Sequence, residues 1–541
     1  MIRRNPVAFA VICFLLTAAL GILLRPLTPI DETRYLAVAW EMHLSGDWLV
    51  PSKNFAPYSD KPPLLFWAIN LVWLVTGVSE FAARMVGPLF CGAVIWLTAV
   101  LARRLWPDDR DVGGRAALAL AGLSIFVVAG SLTMFDAPLA VAVLAGLICL
   151  HAAAGHAEAG RFGFRPWVGF GAALALGVLT KGPVILFHLL PAALLLPLWS
   201  ADRLPWRGLP LRLGFGLAVG LALVALWLVP AAITGGEEYR AAILWHQSAG
   251  RLTESFAHAR PWWFFLAILP LMAFPLAWTP TLWRAAGKAR WRTDAGLCLC
   301  LIWGGGAVLL FSLTSGKQVH YLVPELPALA LIAARLLRDS PLFELLSARS
   351  QPAAQLNFMP AVLALGALAA IAALAGIGAL PLGDLAPLFT PRSALLAWAL
   401  LIIALCWLVV LKPHLPGAML LSLGGLMATN ILIGVSDIAT IYSTHPTAAA
   451  ISRERPDGLA YVGATYHAEF NFAARLTQPV ATPADNEELA RWIADHPDGL
   501  VLGRRGTVEP SWTPQETISF RGRDLGLWRV ADAPNPLRSD E

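Results

Sequence analysis

Val7-Ala8-Phe9-Ala10-Val11-Ile12-Cys13-Phe14-Leu15-Leu16-Thr17-Ala18-Ala19-Leu20-Gly21-Ile22-Leu23-Leu24 is an uncharged, almost wholly apolar run, preceded by Arg3 and Arg4 and followed by Arg25. A helix needs roughly 20 such residues to cross the hydrocarbon of a bilayer. Runs of the same kind recur at about 81–102, 116–133, 137–154, 167–181, 183–199, 213–233, 262–282, 296–313, 321–337, 359–380, 394–411 and 416–435. The expectation is a mainly α, polytopic helical membrane protein of about 13 transmembrane helices. The shorter run 64–77 reads as a helix lying at the membrane interface.

Composition agrees. Only 14% of the 541 residues are charged and 57% are hydrophobic, against about 25% charged in an ordinary soluble domain. No soluble globule could hide that much apolar surface, so a soluble enzyme or a nucleic-acid binder is excluded. The net charge of +5 reflects cations gathered in alternate loops: Arg103, Arg104, Arg110 and Arg115; Arg203, Arg207 and Arg212; Arg284, Lys288, Arg290 and Arg292. By the positive-inside rule these loops and the N-terminus are cytoplasmic. The first run is read as a retained span, since no small-residue cleavage site follows it. An odd number of spans then places the tail outside. The six cysteines all lie in apolar runs without metal-site spacing and read as core residues.

The chain divides into a transmembrane part, 1–440, with a first external loop at 25–80, and a charged tail, 441–541. The tail carries Pro-Asp-Gly turns at 456–458 and 497–499. It alternates short β-like runs (Leu459–Val462, Leu500–Leu502) with a helical pattern near 486–495, as a small α/β domain would.

Ionisable groups at membrane depth are costly and point to function. Here they gather on the external side. The first external loop holds Asp31, Glu32, Arg34, Tyr58, Asp60 and Lys61; Asp136 opens a span; Lys181 separates two apolar runs; His246, Arg251, His258 and Arg260 precede Trp262 and Trp263; Lys317, His320 and Tyr321 precede Pro324. Each has a plainer reading. Asp31, Glu32 and Asp136 could cap helices, Lys181 could snorkel, and the histidines, Lys317 and Arg260 could be interfacial anchors. Together, carboxylates from two loops and cations from four suit displacement of an anionic leaving group such as phosphate. At a membrane surface that phosphate would belong to a lipid. No diagnostic metal-ligand spacing is present, which leaves a divalent ion undecided.

Three motifs, Asp31-Glu32-Thr33-Arg34-Tyr35, Ser45-Gly46-Asp47-Trp48-Leu49-Val50-Pro51 and Tyr58-Ser59-Asp60-Lys61-Pro62-Pro63-Leu64, resemble the first external loop of the aminoarabinose transferase branch of the protein O-mannosyltransferase superfamily. Asp136-Ala137-Pro138, Leu179-Thr180-Lys181-Gly182-Pro183, Arg251 with Pro261-Trp262-Trp263, and Lys317 with Tyr321-Leu322-Val323-Pro324 follow in the family's order. The likeness covers roughly residues 1–340. It implies a GT-C-type inverting glycosyltransferase of the bacterial inner membrane, using a sugar carried on undecaprenyl phosphate and an envelope acceptor on the periplasmic side. In this branch the sugar is 4-amino-4-deoxy-L-arabinose, the acceptor a lipid A phosphate of lipopolysaccharide, and the outcome polymyxin resistance. Carried over by position, Asp31 would be the catalytic carboxylate and Asp136 its partner. Lys61, Lys181, Arg251, Tyr321 and Lys317 would hold the donor phosphate. Glu32, Tyr58, Asp60, His246 and Arg260 are further candidates. Asp60 stands where the family more often has Glu, and Phe264-Phe265 where it often has Tyr.

Alternatives stay open at this level. The acceptor could be another envelope glycolipid or, as in protein O-mannosyltransferases, a Ser or Thr hydroxyl. A flippase for a polyprenyl-linked sugar is the rival from another class, although transporters favour inverted repeats and midplane polar residues, neither of which the sequence displays. A non-catalytic scaffold would leave Asp31 and Lys181 without a use.

Overall fold

The computed structural model describes residues 5–158, 163–200, 206–244, 259–338, 356–383, 386, 389–411, 414–508 and 511–534. Helix α1 (Pro6–Leu24) starts with Pro6 in its first turn and with the Asn5 side chain accepting from the Ala8 N–H at 3.1 Å. Its Ala10, Phe14, Ala18 and Ile22 are buried, while Ile12, Leu16, Leu20 and Leu23 are exposed. An exposed leucine stripe beside a buried one is what a helix shows when its outer solvent is lipid. α1 packs against α4 (Glu80–Leu105), α5 (Val112–Ala121) and the helix Leu415–Val435.

Between α1 and α4 lies the segment read from the sequence as the first loop. It comprises α2 (Asp31–Ser45), the two-residue strands β1 (Ser52–Lys53) and β2 (Ala56–Pro57) paired antiparallel, and α3 (Leu64–Thr76). α2 stops at Gly46, whose left-handed backbone (φ 68°) lets its N–H reach the Met42 carbonyl. α3, an apolar helix of 13 residues, is short for a span, as its sequence implies.

Among the described residues ten helices are long and apolar enough to cross a membrane, or eleven if one bent pair counts as a span. The sequence reading expects thirteen, and three places account for the difference. α5 and α6 (Ser124–Gly130) meet at 70° instead of forming one rod. Ser422 donates to the Gly122 carbonyl freed at that break, at 2.7 Å. The stretch 164–194 is helical throughout and counts once by length. Yet Gly182 adopts φ 73°, and the Ile185 side chain lies directly on Gly177. Eight residues of straight helix would separate those two by about 12 Å, so the chain turns sharply between α8 (Phe164–Lys181) and α9 (Ile185–Leu194). Third, the run 262–282 breaks after the helix Phe264–Met272, around Pro270 and Pro275.

The tail builds a four-stranded mixed sheet in the order β3-β4-β6-β5, from Leu459–Val462, Leu500–Arg504, Glu516–Phe520 (β5) and Arg523–Arg529 (β6). β3 and β4 are parallel and therefore need a crossover, which the helix Asn486–Asp495 supplies. This region sits on the segment between α1 and α4. Trp40 donates to the Leu476 carbonyl at 2.9 Å, Asn54 exchanges two 2.8 Å hydrogen bonds with Val480, and Trp73 stacks on Phe472.

Candidate functional site

Asp31 is the first residue of α2, where its charge suits the helix dipole. Its carboxylate is 46% exposed and ion-paired to Arg34 one turn on. Glu32 beside it points the other way and is buried. It accepts from Arg25 at 2.7 and 3.4 Å and from the N–H groups of Thr28 and Thr133 at 3.1 and 2.8 Å. Burial alone would push the Glu32 carboxyl up; the guanidiniums of Arg25 and Arg84, with these hydrogen bonds, hold it at about 2. Arg25 also donates to the Ser131 carbonyl at 2.6 Å. Arg84 donates to the carbonyls of Ile22, Arg25 and Pro26, closing the end of α1. The carboxylate next to Asp31 is thus a knot tying three segments together.

That knot delivers the loop 131–135 to α2, and an aromatic cluster completes the seating. Phe135 meets Tyr35 edge-on at 4.8 Å and Phe66 at 5.6 Å, while Tyr58 is buried against Phe66. Lys61 lies 5.9 Å over the Phe135 ring. The next residue, Asp136, opens α7 (Asp136–Glu158) with its carboxylate 4% exposed. Lys181, the last residue of α8, donates to Asp136 at 2.7 Å and stands 4.9 Å over the ring of Tyr321. Tyr321 belongs to a 3-10 segment, Val319–Glu325, and rests on Phe311 and His320. His320 feels the charges of Asp136, Lys181, Asp31 and Lys61 at once. Five groups far apart in sequence therefore share one field. Asp60, one residue before Lys61, is exposed.

Two expected groups are held elsewhere. The Lys317 ammonium is directed at backbone, donating to the carbonyls of Arg260 (3.0 Å) and Thr314. Arg260 lies 5.9 Å over Phe264 and is exposed. Both serve a small strap in which Ala259 bridges Gly316. His246, His258 and Arg251 lie outside the described residues. Among the described residues no three His, Cys, Asp or Glu side chains converge as a metal site. The sequence reading gave no part to Arg25 or Arg84. Their signal was an arginine at the end of one apolar run and another near the start of the next, where a cation needs a partner.

Chemically, the arrangement is a shielded carboxylate ringed by Lys181, Lys61 and His320, with a more accessible carboxylate, Asp31, at its edge. Such a ring holds an anion, phosphate above all, and stabilises it as it gains charge.

Comparison with known proteins agrees with this geometry. Residues 60–229 match the family model of dolichyl-phosphate-mannose-protein mannosyltransferase. A Pseudomonas fluorescens protein named undecaprenyl phosphate-alpha-4-amino-4-deoxy-L-arabinose arabinosyl transferase 2 is 32% identical over 315 residues, 57% of this chain and 55% of its own. Its counterpart in Pseudomonas aeruginosa PAO1 is 34% identical over 351 residues, 63% of this chain and 60% of its own. The chain thus spans under two thirds of the length of the curated relatives it matches. In three dimensions it is similar to ArnT from Cupriavidus metallidurans. The TM-score is 0.73 against the apo state and 0.69 against the form bound to undecaprenyl phosphate, each at 22% identity and over 98% of both chains. The fold is that of this transferase, and the resemblance read from the first-loop motifs is borne out.

Proposed function

We propose that this chain is an inverting glycosyltransferase of a bacterial inner membrane. It moves a sugar from undecaprenyl phosphate to an envelope acceptor on the periplasmic side. The sugar is 4-amino-4-deoxy-L-arabinose or one like it, and the acceptor is a lipid A phosphate. The observation that carries this reading is the placing of Lys181, fixed between Asp136 and the Tyr321 ring within the field of Lys61 and Asp31. The names of the relatives support the choice of sugar and carrier.

In the reaction an acceptor oxygen attacks the anomeric carbon. The bond from that carbon to the carrier phosphate breaks, and the phosphate leaves with the electron pair. Lys181 and Lys61 neutralise the departing charge, Tyr321 belongs to the same phosphate site, and Arg251 is assigned a part there by the sequence resemblance alone. Asp31, the accessible carboxylate, orients an acceptor phosphate, which is already anionic, or takes the proton of a hydroxyl acceptor. Asp136 holds the Lys181 ammonium in place.

Mass spectrometry of lipid A and total envelope lipid tests this, using cells lacking the protein and complemented with wild type or Asp31→Asn. A sugar-sized mass on lipid A that appears with wild type alone is the expected result. Unchanged lipid A in every strain removes the lipid A assignment. Undecaprenyl-linked sugar accumulating in the cytoplasmic leaflet would favour a flippase instead.

A further inference from the structure

Below the site lies a pair of ionisable side chains that the chemistry above does not use. His188, in α9, is wholly buried, and Glu325, at the end of the 3-10 segment, is 5% exposed. Nδ1 of His188 and Oε1 of Glu325 are 2.5 Å apart. The outer atoms, Nε2 and Oε2, are buried without a hydrogen-bond partner among the described residues. Both residues sit within candidate spans. Burying two ionisable groups there costs free energy that two leucines would not. Such a pair gains its value from direction: it is made in one register of two elements and lost in any other.

One of the two elements it joins carries Tyr321 of the proposed phosphate site, and the other follows directly on Lys181. Lys181 ends the helix just before α9, seven residues ahead of His188, and Tyr321 stands four residues ahead of Glu325. Above the pair, Lys181 rests on the Tyr321 ring. Between them, Phe311 touches both sides, 5.2 Å from the His188 ring and 5.8 Å from Tyr321. The 3-10 segment is thus fastened at two levels, to α9 by a polar, buried pair and to the end of α8 by a cation–ring contact at the site. Only the upper one can meet a ligand.

We propose that His188 and Glu325 are positioning residues, a buried tether that fixes the Val319–Glu325 segment against α9 and so sets Tyr321 and Lys181 in register for a lipid phosphate. The inference rests on the phosphate-binding reading above.

The test measures binding of undecaprenyl phosphate to the purified full-length chain, with thermal unfolding of each variant alongside. The double variant His188→Leu/Glu325→Leu replaces the pair by apolar groups, a change that leaves stability equal or higher in many proteins. Its melting midpoint is expected at or above that of wild type, with affinity about tenfold weaker. Tyr321→Leu, costly in the wild-type background, is expected to cost little further in this one, since the tether that placed Tyr321 is already gone. Glu325→Gln keeps the oxygen facing Nδ1 and should bind within about threefold of wild type, which also serves if the leucine pair fails to fold. Wild-type affinity in the leucine pair, losses that multiply when Tyr321→Leu is added, or a tenfold loss in Glu325→Gln would each overturn the tether. A wild-type chain that does not bind the lipid phosphate would end the phosphate reading together with it. A leucine pair that binds as wild type does would end the tether alone.

Discussion

Asp136 and Glu32 are both buried carboxylates paired to a cation at the same end of the molecule, yet they are built differently. Glu32 takes four hydrogen bonds, two from Arg25 and two from backbone N–H groups. A carboxylate has about four lone-pair sites, so nothing is left for a ligand. Asp136 takes one hydrogen bond among the described residues, from Lys181, and its further cations act through space. The saturated centre holds segments together; the unsaturated one keeps a cation poised for something else. Charge and burial do not distinguish the two. The count of filled acceptor positions does.

The largest expected effect falls on the unsaturated centre. Lys181→Ala should lower transfer by about 10²–10³-fold, with expression and membrane insertion as in wild type. Normal turnover in that variant would break the contrast at its stronger end. Asp31→Asn is expected to cost about 10²-fold in kcat, and a protein hydroxyl acceptor would make that loss larger than a lipid phosphate would. Glu32→Gln should instead act on folding, by about 3 kcal/mol. Since the folded Glu32 carboxyl lies near 2, below its ordinary value of 4.5, the stabilisation is present above about pH 4.5 and is lost as pH falls toward 2. Unfolding midpoints across that window should slope for wild type and flatten for Glu32→Gln. A fully stable but inactive Glu32→Gln protein would move this residue to the other class. The smallest effect concerns His445, whose Nε2 lies 3.3 Å from Glu80, a hydrogen bond that raises its pKa. Its contribution is complete below about pH 6.5 and fades as pH rises through the raised value. His445→Ala should therefore cost under about 1 kcal/mol at pH 6, given its exposure to solvent, and nothing at pH 9.

Much of this arrangement could be read before the coordinates. β3, the helix Asn486–Asp495 and β4 fall where turn signals and alternation put them, because short elements bounded by Pro-Asp-Gly are locally encoded. Asp31, Lys61, Asp136 and Lys181 were legible as polar residues at span ends. The opposite orientations of Asp31 and Glu32 were not, since adjacent carboxylates in a helix's first turn look alike until their partners arrive from 25–28 and 131–133. Nor was the diversion of Lys317 to backbone carbonyls, which follows from the strap at Ala259 and Gly316. The sequence reading and a count by helix length part company where length stops being informative: at the bend between α5 and α6, at the turn after Lys181, where the sequence already separates two runs, and around Pro270 and Pro275. His188 and Glu325 had a visible signal, a titratable residue inside each of two apolar runs, which a reading confined to span ends passes over.

The hold of the tail on the segment between α1 and α4 sets an order in time. The Asn471 side chain donates at 3.0 Å to Glu41, which lies 430 residues earlier and also accepts from the N–H groups of Asn54 and Phe55. At roughly 5–20 residues per second of synthesis, Glu41 and the Asn54–Phe55 turn wait about 20–90 s for this partner. Throughout that interval the hairpin leading to Lys61 lacks its outer support, so a growing chain acquires its membrane helices well before the candidate site is complete. The segment 471–480 thus acts as a completion signal, reserving an organised first loop for chains whose synthesis has run past residue 480.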